Sequence, residues 1–301
     1  MRQTAAMTYL PLDGKPLRLT LGLRSLDPEA WIEVDRFRAD EMRQKAELLH
    51  DRHADVVATL DDGYAGSFEL WARLAPYVVE RFPDLYADVE RHDGAIVALT
   101  DVDTGQRIDV RALQPIDACG RLVQEDLALM RKREDRWVLV AASLCFPSRW
   151  RMTEKLGKDL TGIHEPVPGY ATQIASPVEV MFDKLTVERP LWRLNWTVID
   201  DPALHQPDPA TRRSGRDFAD VDPGESLFFR VERQTLTKLP ESGDVVFTIR
   251  TYVRSLAALG GPQAYADLAT AMRSAEPETL EYKGWTALVE RTLEWLETRV
   301  G

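Results

Sequence analysis

Apolar residues recur at helical spacing near both ends of this chain. Between positions 65 and 82 they form one stripe, which predicts an amphipathic helix packed on a core; its members are Leu70, Leu74, Val78 and Phe82. A charged segment over 37–50 and the C-terminal segment over 262–299 also predict helices. Asp27 followed by Pro28 predicts a further helix start, because Asp caps a helix N-terminus and Pro suits its first position.

The middle of the chain is rich in strand patterns instead. Apolar and alternating runs predict strands over 94–100, 107–110, 127–130, 137–145, 192–199, 226–238 and 244–253. Short helices are expected over 150–160 and, after a Ser176 cap, over 177–185, and a long loop rich in proline and aspartate over 200–223. Strands gathered between terminal helices predict the α+β class rather than a doubly wound parallel sheet.

Length and composition narrow the class of protein. We expect the 301 residues to form a single domain over 1–301, with helical extensions over 1–90 and 257–301. Acidic residues outnumber basic ones, 49 to 38, which argues against nucleic-acid binding. No apolar run reaches the roughly 18 residues of a membrane span, and no signal peptide is evident, so we expect a cytoplasmic protein without a membrane partner.

Cysteine usage limits the redox chemistry that the chain could carry. Cys119 and Cys145 are its two cysteines, too few for an iron–sulfur cluster with four thiolate ligands. No Gly-x-Gly-x-x-Gly turn for a dinucleotide occurs either. Electrons for any redox reaction would therefore have to come from another protein.

His164 is the leading candidate for chemistry. It follows a predicted helical run over 155–163 and precedes Pro166 and Pro168, which would fix the direction of the chain. A rigidly held imidazole suits a metal ligand, although a histidine satisfied by a carbonyl at a helix end would look the same. Cys145 is the rival ligand, but a cysteine ending an apolar strand more often serves as a small core residue.

Polar residues also follow the last two predicted strands. Alternation places Arg230, Glu232 and Gln234 on one face of the first strand and Arg233 on the other. Charged residues inside strands are costly unless they are paired or solvated. They therefore indicate either a salt-bridge ladder on an edge strand or a functional site.

Four segments together resemble the haem (alpha) subunits of haem-dependent oxidative N-demethylases, long catalogued as a domain of unknown function. The segments are 144–150 (Leu-Cys-Phe-Pro-Ser-Arg-Trp), 162–170 (Gly-Ile-His-Glu-Pro-Val-Pro-Gly-Tyr), 229–236 and 246–252. The resemblance implies a haem-binding PAS-like fold, in which a central antiparallel sheet and its flanking helices enclose the haem. It also implies that a small methylated amine such as dimethylamine is oxidised with dioxygen, releasing formaldehyde. FMN, an iron–sulfur cluster, folate and NADPH are then expected on partner subunits that act as the reductase.

If the chain binds haem, the resemblance implies that His164 is a candidate axial ligand of the iron. Arginines can bind the haem propionates, and a cationic amine needs an acidic or aromatic wall. Candidates for binding the cofactor are His164, Arg149, Arg230, Arg250 and Trp196, and candidates for catalysis are Glu232, Asn195, Arg233 and Tyr252. Two alternatives stay open: a haem-based sensor without turnover, and a haem-free domain in which His164 is structural.

Overall fold

A computed structural model describes residues 9–209 and 221–300 of the chain. The strands are β1 (Arg24–Ser25), β2 (Val57–Thr59), β3 (Tyr86–His92), β4 (Ala95–Asp101), β5 (Arg107–Asp109), β6 (Asp126–Arg133), β7 (Arg136–Ser143), β8 (Leu191–Ile199), β9 (Phe228–Lys238) and β10 (Val245–Ser255). The helices are α1 (Arg38–Asp51), α2 (His53–Val56), α3 (Tyr64–Arg81), α4 (Pro115–Gly120), α5 (Leu160–Ile163), α6 (Ala175–Lys184), α7 (Pro223–Ser226), α8 (Pro262–Arg273), α9 (Pro277–Lys283) and α10 (Val289–Glu297).

The fold combines helices with a large antiparallel sheet, as predicted. Seven strands lie in the order β1-β8-β9-β10-β6-β7-β2, and a smaller sheet has the order β3-β4-β5. The strands β9 and β10 pair along their whole length near the middle of the large sheet. The interpretation of their charged residues as an edge-strand ladder is therefore wrong, because both strands have neighbours on each side.

The two faces of the large sheet are covered by different parts of the chain. Strand pairing sets Asn195 opposite Glu232, so these residues share a face with Ile249, and we call it the His164 face. The segment from 150 to 185, with α5 and α6, covers that face through a core cluster that contains Tyr170. The opposite face packs against α1, α3 and the C-terminal helices α8–α10.

Both terminal helical regions bury apolar stripes against this opposite face. In α3, Leu70, Leu74 and Val78 are fully buried, and Phe82 packs against the same cluster, as the spacing predicts. Complete burial of such a side chain contributes about 1.5–3 kcal/mol. The predicted C-terminal helix is three helices, because Gly284 adopts a left-handed φ of 68° and Pro277 starts a new helix.

The structure differs from prediction around the candidate histidine. The helix expected over 150–160 is a single 3₁₀ turn, Met152–Glu154, and the run expected over 155–163 is reduced to α5. Gly157 interrupts it with a left-handed φ of 80°. Ser176 is not a cap, because a π-helical turn over Tyr170–Ile174 already leads into α6. The middle of the loop predicted over 200–223 lies outside the described residues.

Candidate functional site

His164 directly follows the four-residue helix α5, and local contacts fix its ring. Asp159 caps the helix by accepting a hydrogen bond from the amide of Gly162. His164 Nδ1 lies 2.8 Å from the carbonyl oxygen of Leu160. A carbonyl can only accept, so Nδ1 carries the proton and Nε2 keeps its lone pair. Burial also lowers the pKa of His164, which favours this neutral form.

Two neighbours hold the ring in place. His164 stacks on Tyr170, with ring centroids 4.3 Å apart and planes 11° apart. Tyr170 opens the π-helical turn after Gly169, whose left-handed φ of 75° changes the direction of the chain. Lys155 Nζ donates to the carbonyl oxygen of Ile163 at 2.6 Å and so anchors the end of α5. Such support on both sides is typical of a residue that must present one atom in a defined direction.

Comparison with the other four histidines distinguishes His164. Nε2 of His53 lies 2.9 Å from Asp117, and Nε2 of His205 lies 3.2 Å from Arg52. His50 and His92 are exposed side chains beside Asp51 and Asp93. Nε2 of His164 has no polar partner among the described residues. His164 therefore combines an oriented ring with an available ligand atom.

The large sheet supplies a polar wall on the same face. Asn195 is exposed although it lies in the middle of β8, so solvent reaches this part of the sheet. Its Nδ2 donates to Glu232 at 3.3 Å, and Gln234 Nε2 donates to the same carboxylate at 3.0 Å. Arg193, two residues before Asn195, lowers the pKa of His164 by its positive charge, and the negative charge of Glu232 acts to raise the pKa of Arg193. These contacts connect the histidine with the acidic centre of the wall.

The end of α9 lies at the edge of β8, where Lys283 Nζ donates to the carbonyl oxygen of Trp196 at 3.1 Å. Burial lowers the pKa of Lys283 to about 8 and raises that of Tyr282, yet Tyr282 is 44% exposed. Arg193 shows the same combination, since it is partly exposed while burial lowers its pKa. We call the group of side chains on the His164 face, formed by His164, Tyr170, Arg193, Asn195 and Glu232, the β8 site.

The residues of the β8 site fit a haem group. A haem iron takes four ligands from the porphyrin, so one protein nitrogen such as His164 Nε2 is enough. Nε of Arg193 and the hydroxyl of Tyr170 are buried without partners among the described residues. Burial raises the pKa of Tyr170 to about 12, so this hydroxyl remains a proton donor. In the described ranges no three His, Cys, Asp or Glu side chains form a metal cluster on their own.

Two of the predicted cofactor residues lie near the β8 site but already contact protein groups. Arg230 is on the His164 face and donates to the carbonyl oxygens of Phe146 and Leu204, at 2.6 and 3.1 Å. Arg149 binds Asp200 at 2.7 Å and the carbonyl oxygen of Lys283 at 3.3 Å. Its φ of 63° is a left-handed conformation that is rare outside glycine and is found at functional sites.

Four other predicted site residues project from the opposite face. Trp196 stacks on Phe229 in the core under the C-terminal helices. The remaining three bind the N-terminal segment through protein groups: Arg233 donates to the carbonyl oxygens of Ala30 and Trp31, Arg250 pairs with Asp35 and Glu41, and Tyr252 donates to Glu33. Grouping them with His164 in one site does not fit this placement, because the sheet lies between.

A groove of about 1300 Å³ opens beside the end of β10, and Tyr252, Asp35 and Glu41 line it. It is large enough for a small ligand. Two of its acids, Asp35 and Glu41, are already engaged, since both bind Arg250. None of its described lining residues is a histidine or a cysteine, so it offers no strong ligand for a haem iron.

The rival ligand Cys145 lies in the core. Its side chain is fully buried, and burial raises the pKa of the thiol to about 12. The thiolate that would bind iron is therefore scarce at neutral pH. Arg193 is the site residue that sequence reasoning missed, and alternation from Asn195 could have indicated it.

The protein belongs to the mixed helix-and-sheet class, and the oriented histidine that faces an acid and cations on its antiparallel sheet forms a candidate cofactor site. Comparison with known families is more specific. The family model described as haem-dependent oxidative N-demethylase, alpha subunit-like (HODM_asu-like) matches residues 22–293, and the chain belongs to this family. The family name describes a haem-dependent oxidoreductase and, as an alpha-like subunit, implies a partner subunit. None of the described helices is long and apolar enough to span a membrane.

Proposed function

We propose that this chain is the haem-bearing subunit of an oxidative N-demethylase and that His164 Nε2 would bind the haem iron. The proposal rests on this nitrogen, which has no polar partner among the described residues, in a chain that belongs to this family. The hydrogen bond from Nδ1 to Leu160 orients the ring and increases its basicity as a ligand. Haem would then lie between the His164 face of the sheet and the segment with α5 and α6, in a PAS-like arrangement.

When bound, haem supplies an iron that activates dioxygen for oxidation of an N-methyl group. Arg193 is best placed to bind a propionate, because its Nε has no partner among the described residues and burial strengthens its interactions. Arg149 is a second candidate, held in place by Asp200. Arg230 holds the backbone at Phe146 and Leu204, and we give it a positioning role.

We infer that the substrate is a small secondary amine resembling dimethylamine. Such an amine is a cation at neutral pH, so its site needs a negative charge. Glu232 supplies this charge and Asn195 orients the carboxylate. Asn195 is exposed and Glu232 is buried beside it, and both lie on the same side of the sheet as His164. Replacing the carboxylate by an amide removes the charge and keeps the shape.

We propose that electrons reach this subunit from a partner reductase that carries FMN, an iron–sulfur cluster and NADPH. The two cysteines are free and buried. Free cysteines are compatible with the cytoplasmic location predicted from the sequence, and that location stays a prediction.

Formaldehyde release by reconstituted protein, with dimethylamine, dioxygen and a surrogate reductase, tests the function. We expect turnover by the wild type and a KM about 10- to 100-fold higher for Glu232→Gln, as for loss of one charged hydrogen bond of about 1.5–3 kcal/mol. Glu294→Gln, which changes an exposed acid on α10, should keep the wild-type KM. Haem binding without formaldehyde above background would contradict the proposal and favour the haem-based sensor.

A further inference from the structure

Three polar residues form a row across three strands of the large sheet. Asn195 on β8 lies opposite Glu232 on β9, and Glu232 lies opposite Thr251 on β10, so all three side chains project from the His164 face. Opposed residues in antiparallel strands have Cβ atoms about 4.5–5.5 Å apart. The hydroxyl of Thr251 and the carboxylate of Glu232 are therefore within reach of one small molecule.

The carboxylate of Glu232 has one oxygen that protein groups engage and one that they leave. Oε2 accepts from Asn195 Nδ2 at 3.3 Å and from Gln234 Nε2 at 3.0 Å. Oε1 accepts no hydrogen bond from the described residues, and Arg230 Nε lies 3.9 Å away, which is longer than a hydrogen bond. The two amides thus hold the carboxylate in one orientation and leave Oε1 as an acceptor for a ligand.

Thr251 has a hydroxyl that the protein does not use. The residue is 1% exposed, and its Oγ1 has no hydrogen-bond partner among the described residues. Two threonines on the other face of the same strands differ, because Thr235 and Thr248 lie opposite each other with their hydroxyl oxygens 2.6 Å apart. A buried hydroxyl without a partner costs free energy, so Thr251 Oγ1 indicates a bound molecule as its partner.

The row ends at a free edge of β10. Strand β6 begins at Asp126, opposite Ile249, and no described strand pairs with this side of β10 beyond that point. Thr251 is the next residue after Ile249 on the His164 face, and it also lines the groove of about 1300 Å³ beside the end of β10. The groove therefore reaches the residue that lies opposite Glu232.

We propose that Thr251 is a specificity-determining residue for the amine, whose hydroxyl accepts one N–H of a secondary ammonium ion while Glu232 Oε1 accepts the other. This inference rests on the proposed function, in which Glu232 binds the amine. A secondary ammonium ion carries two N–H donors, a tertiary one carries a single donor and a quaternary one carries none. Two neighbouring acceptors therefore match a secondary amine, whereas a tertiary amine leaves Thr251 without a partner.

Calorimetric titration of the haem-reconstituted protein with dimethylammonium chloride and with trimethylammonium chloride tests the proposal without reductase or turnover. The measured quantity is the ratio of the two Kd values. Thr251→Val replaces the hydroxyl by a methyl group of similar size, and Thr251→Ser keeps the hydroxyl. Thr237→Val is the matched control, because Thr237 also has a buried hydroxyl without a partner among the described residues but projects from the other face of β9.

We expect Thr251→Val to weaken the binding of dimethylammonium about three- to tenfold, as for the loss of one hydrogen bond, and to leave the Kd of trimethylammonium unchanged. Thr251→Ser and Thr237→Val should keep the wild-type ratio of Kd values. The same ratio in Thr251→Val as in wild type, whether both amines bind as before or both bind equally more weakly, would overturn the proposal.

Glu232→Gln separates this inference from the proposed function. If this variant weakens the binding of both amines while Thr251→Val keeps the wild-type ratio, Glu232 remains the amine-binding residue and the role of Thr251 alone is refuted. Failure of the wild-type protein to bind either amine would overturn both proposals.

Discussion

Arg250 provides a sharp test of the division between the two sheet faces, because the sequence predicts a cofactor role and the structure gives it protein partners. The guanidinium is fully buried and lies 2.9 Å from Asp35 and 2.8 Å from Glu41. A further N–H donates to the carbonyl oxygen of Thr251 at 2.9 Å. The substitution Arg250→Met keeps most of the side-chain volume and removes the charge.

The expected loss of stability follows from the buried carboxylate of Glu41, which has lost its partner in the variant. Glu41 is buried, and its pKa is raised by burial and held down by Arg250. Removing one partner of a buried ion pair typically costs about 3–5 kcal/mol. By contrast, Arg43 and Asp40 form an exposed pair on α1, and such surface pairs contribute at most about 1 kcal/mol. Arg43→Met is therefore the matched control.

The pH dependence has a definite sign. Without Arg250 the folded-state pKa of Glu41 rises further above its unfolded value of about 4.3. The folded variant then binds a proton more readily than the unfolded chain, so its stability improves as pH falls toward that value. The deficit of the variant relative to wild type should be largest near pH 8 and smaller near pH 5.

Urea unfolding at both pH values measures this deficit, and absorption spectra of the reconstituted protein measure haem binding. We expect about 3–5 kcal/mol lost at pH 8, about 1 kcal/mol or less for the control, and an unchanged Soret band in the folded variant. A variant that stays as stable as wild type but loses haem would refute the reasoning and return Arg250 to the cofactor site.

Two further substitutions test local geometry. Gly169→Ala should lower the free energy of unfolding in urea by about 1–2 kcal/mol, because alanine is strained at a φ of 75° and its Cβ would meet the side chain of Gln173. Gly94→Ala is the control, with a φ of 82° and open space around the added Cβ, and it should cost less. Equal costs for the two variants would show that the contact with Gln173 contributes nothing. Cys145→Ala should leave the Soret maximum unchanged, since burial raises the thiol pKa to about 12, and a shifted maximum would identify a thiolate ligand.

Strands β4 to β10 were predictable because alternation is a local property, whereas β1, β2 and β3 were not predicted. The run predicted over 192–199 is β8 to within one residue, and the alternation of Arg230, Glu232 and Arg233 holds in the observed register. The face that meets His164 could not be predicted in the same way. Arg233 contacts carbonyl oxygens about two hundred positions earlier in the chain, and only packing of the N-terminal segment determines this.

Local patterns were less informative around the site itself. The structure of the segment before His164 depends on Gly157 and on the Asp159 cap, which interrupt an apparently helical run. The approach of Lys283 to β8 depends on the edge of this strand beyond Trp192, which pairs with no further strand among the described residues because β1 is short. Such long-range consequences of topology leave no periodic signal in the sequence.

The absorption spectrum of the chain reconstituted with haem, for wild type, His164→Ala and His92→Ala, tests the central proposal most directly. His92 is an exposed histidine on β3, so its removal controls for the loss of any imidazole. We expect a Soret band in wild type and in His92→Ala, and a band that is shifted or absent in His164→Ala and restored by added imidazole. The same spectrum in all three proteins would show that His164 is not the ligand.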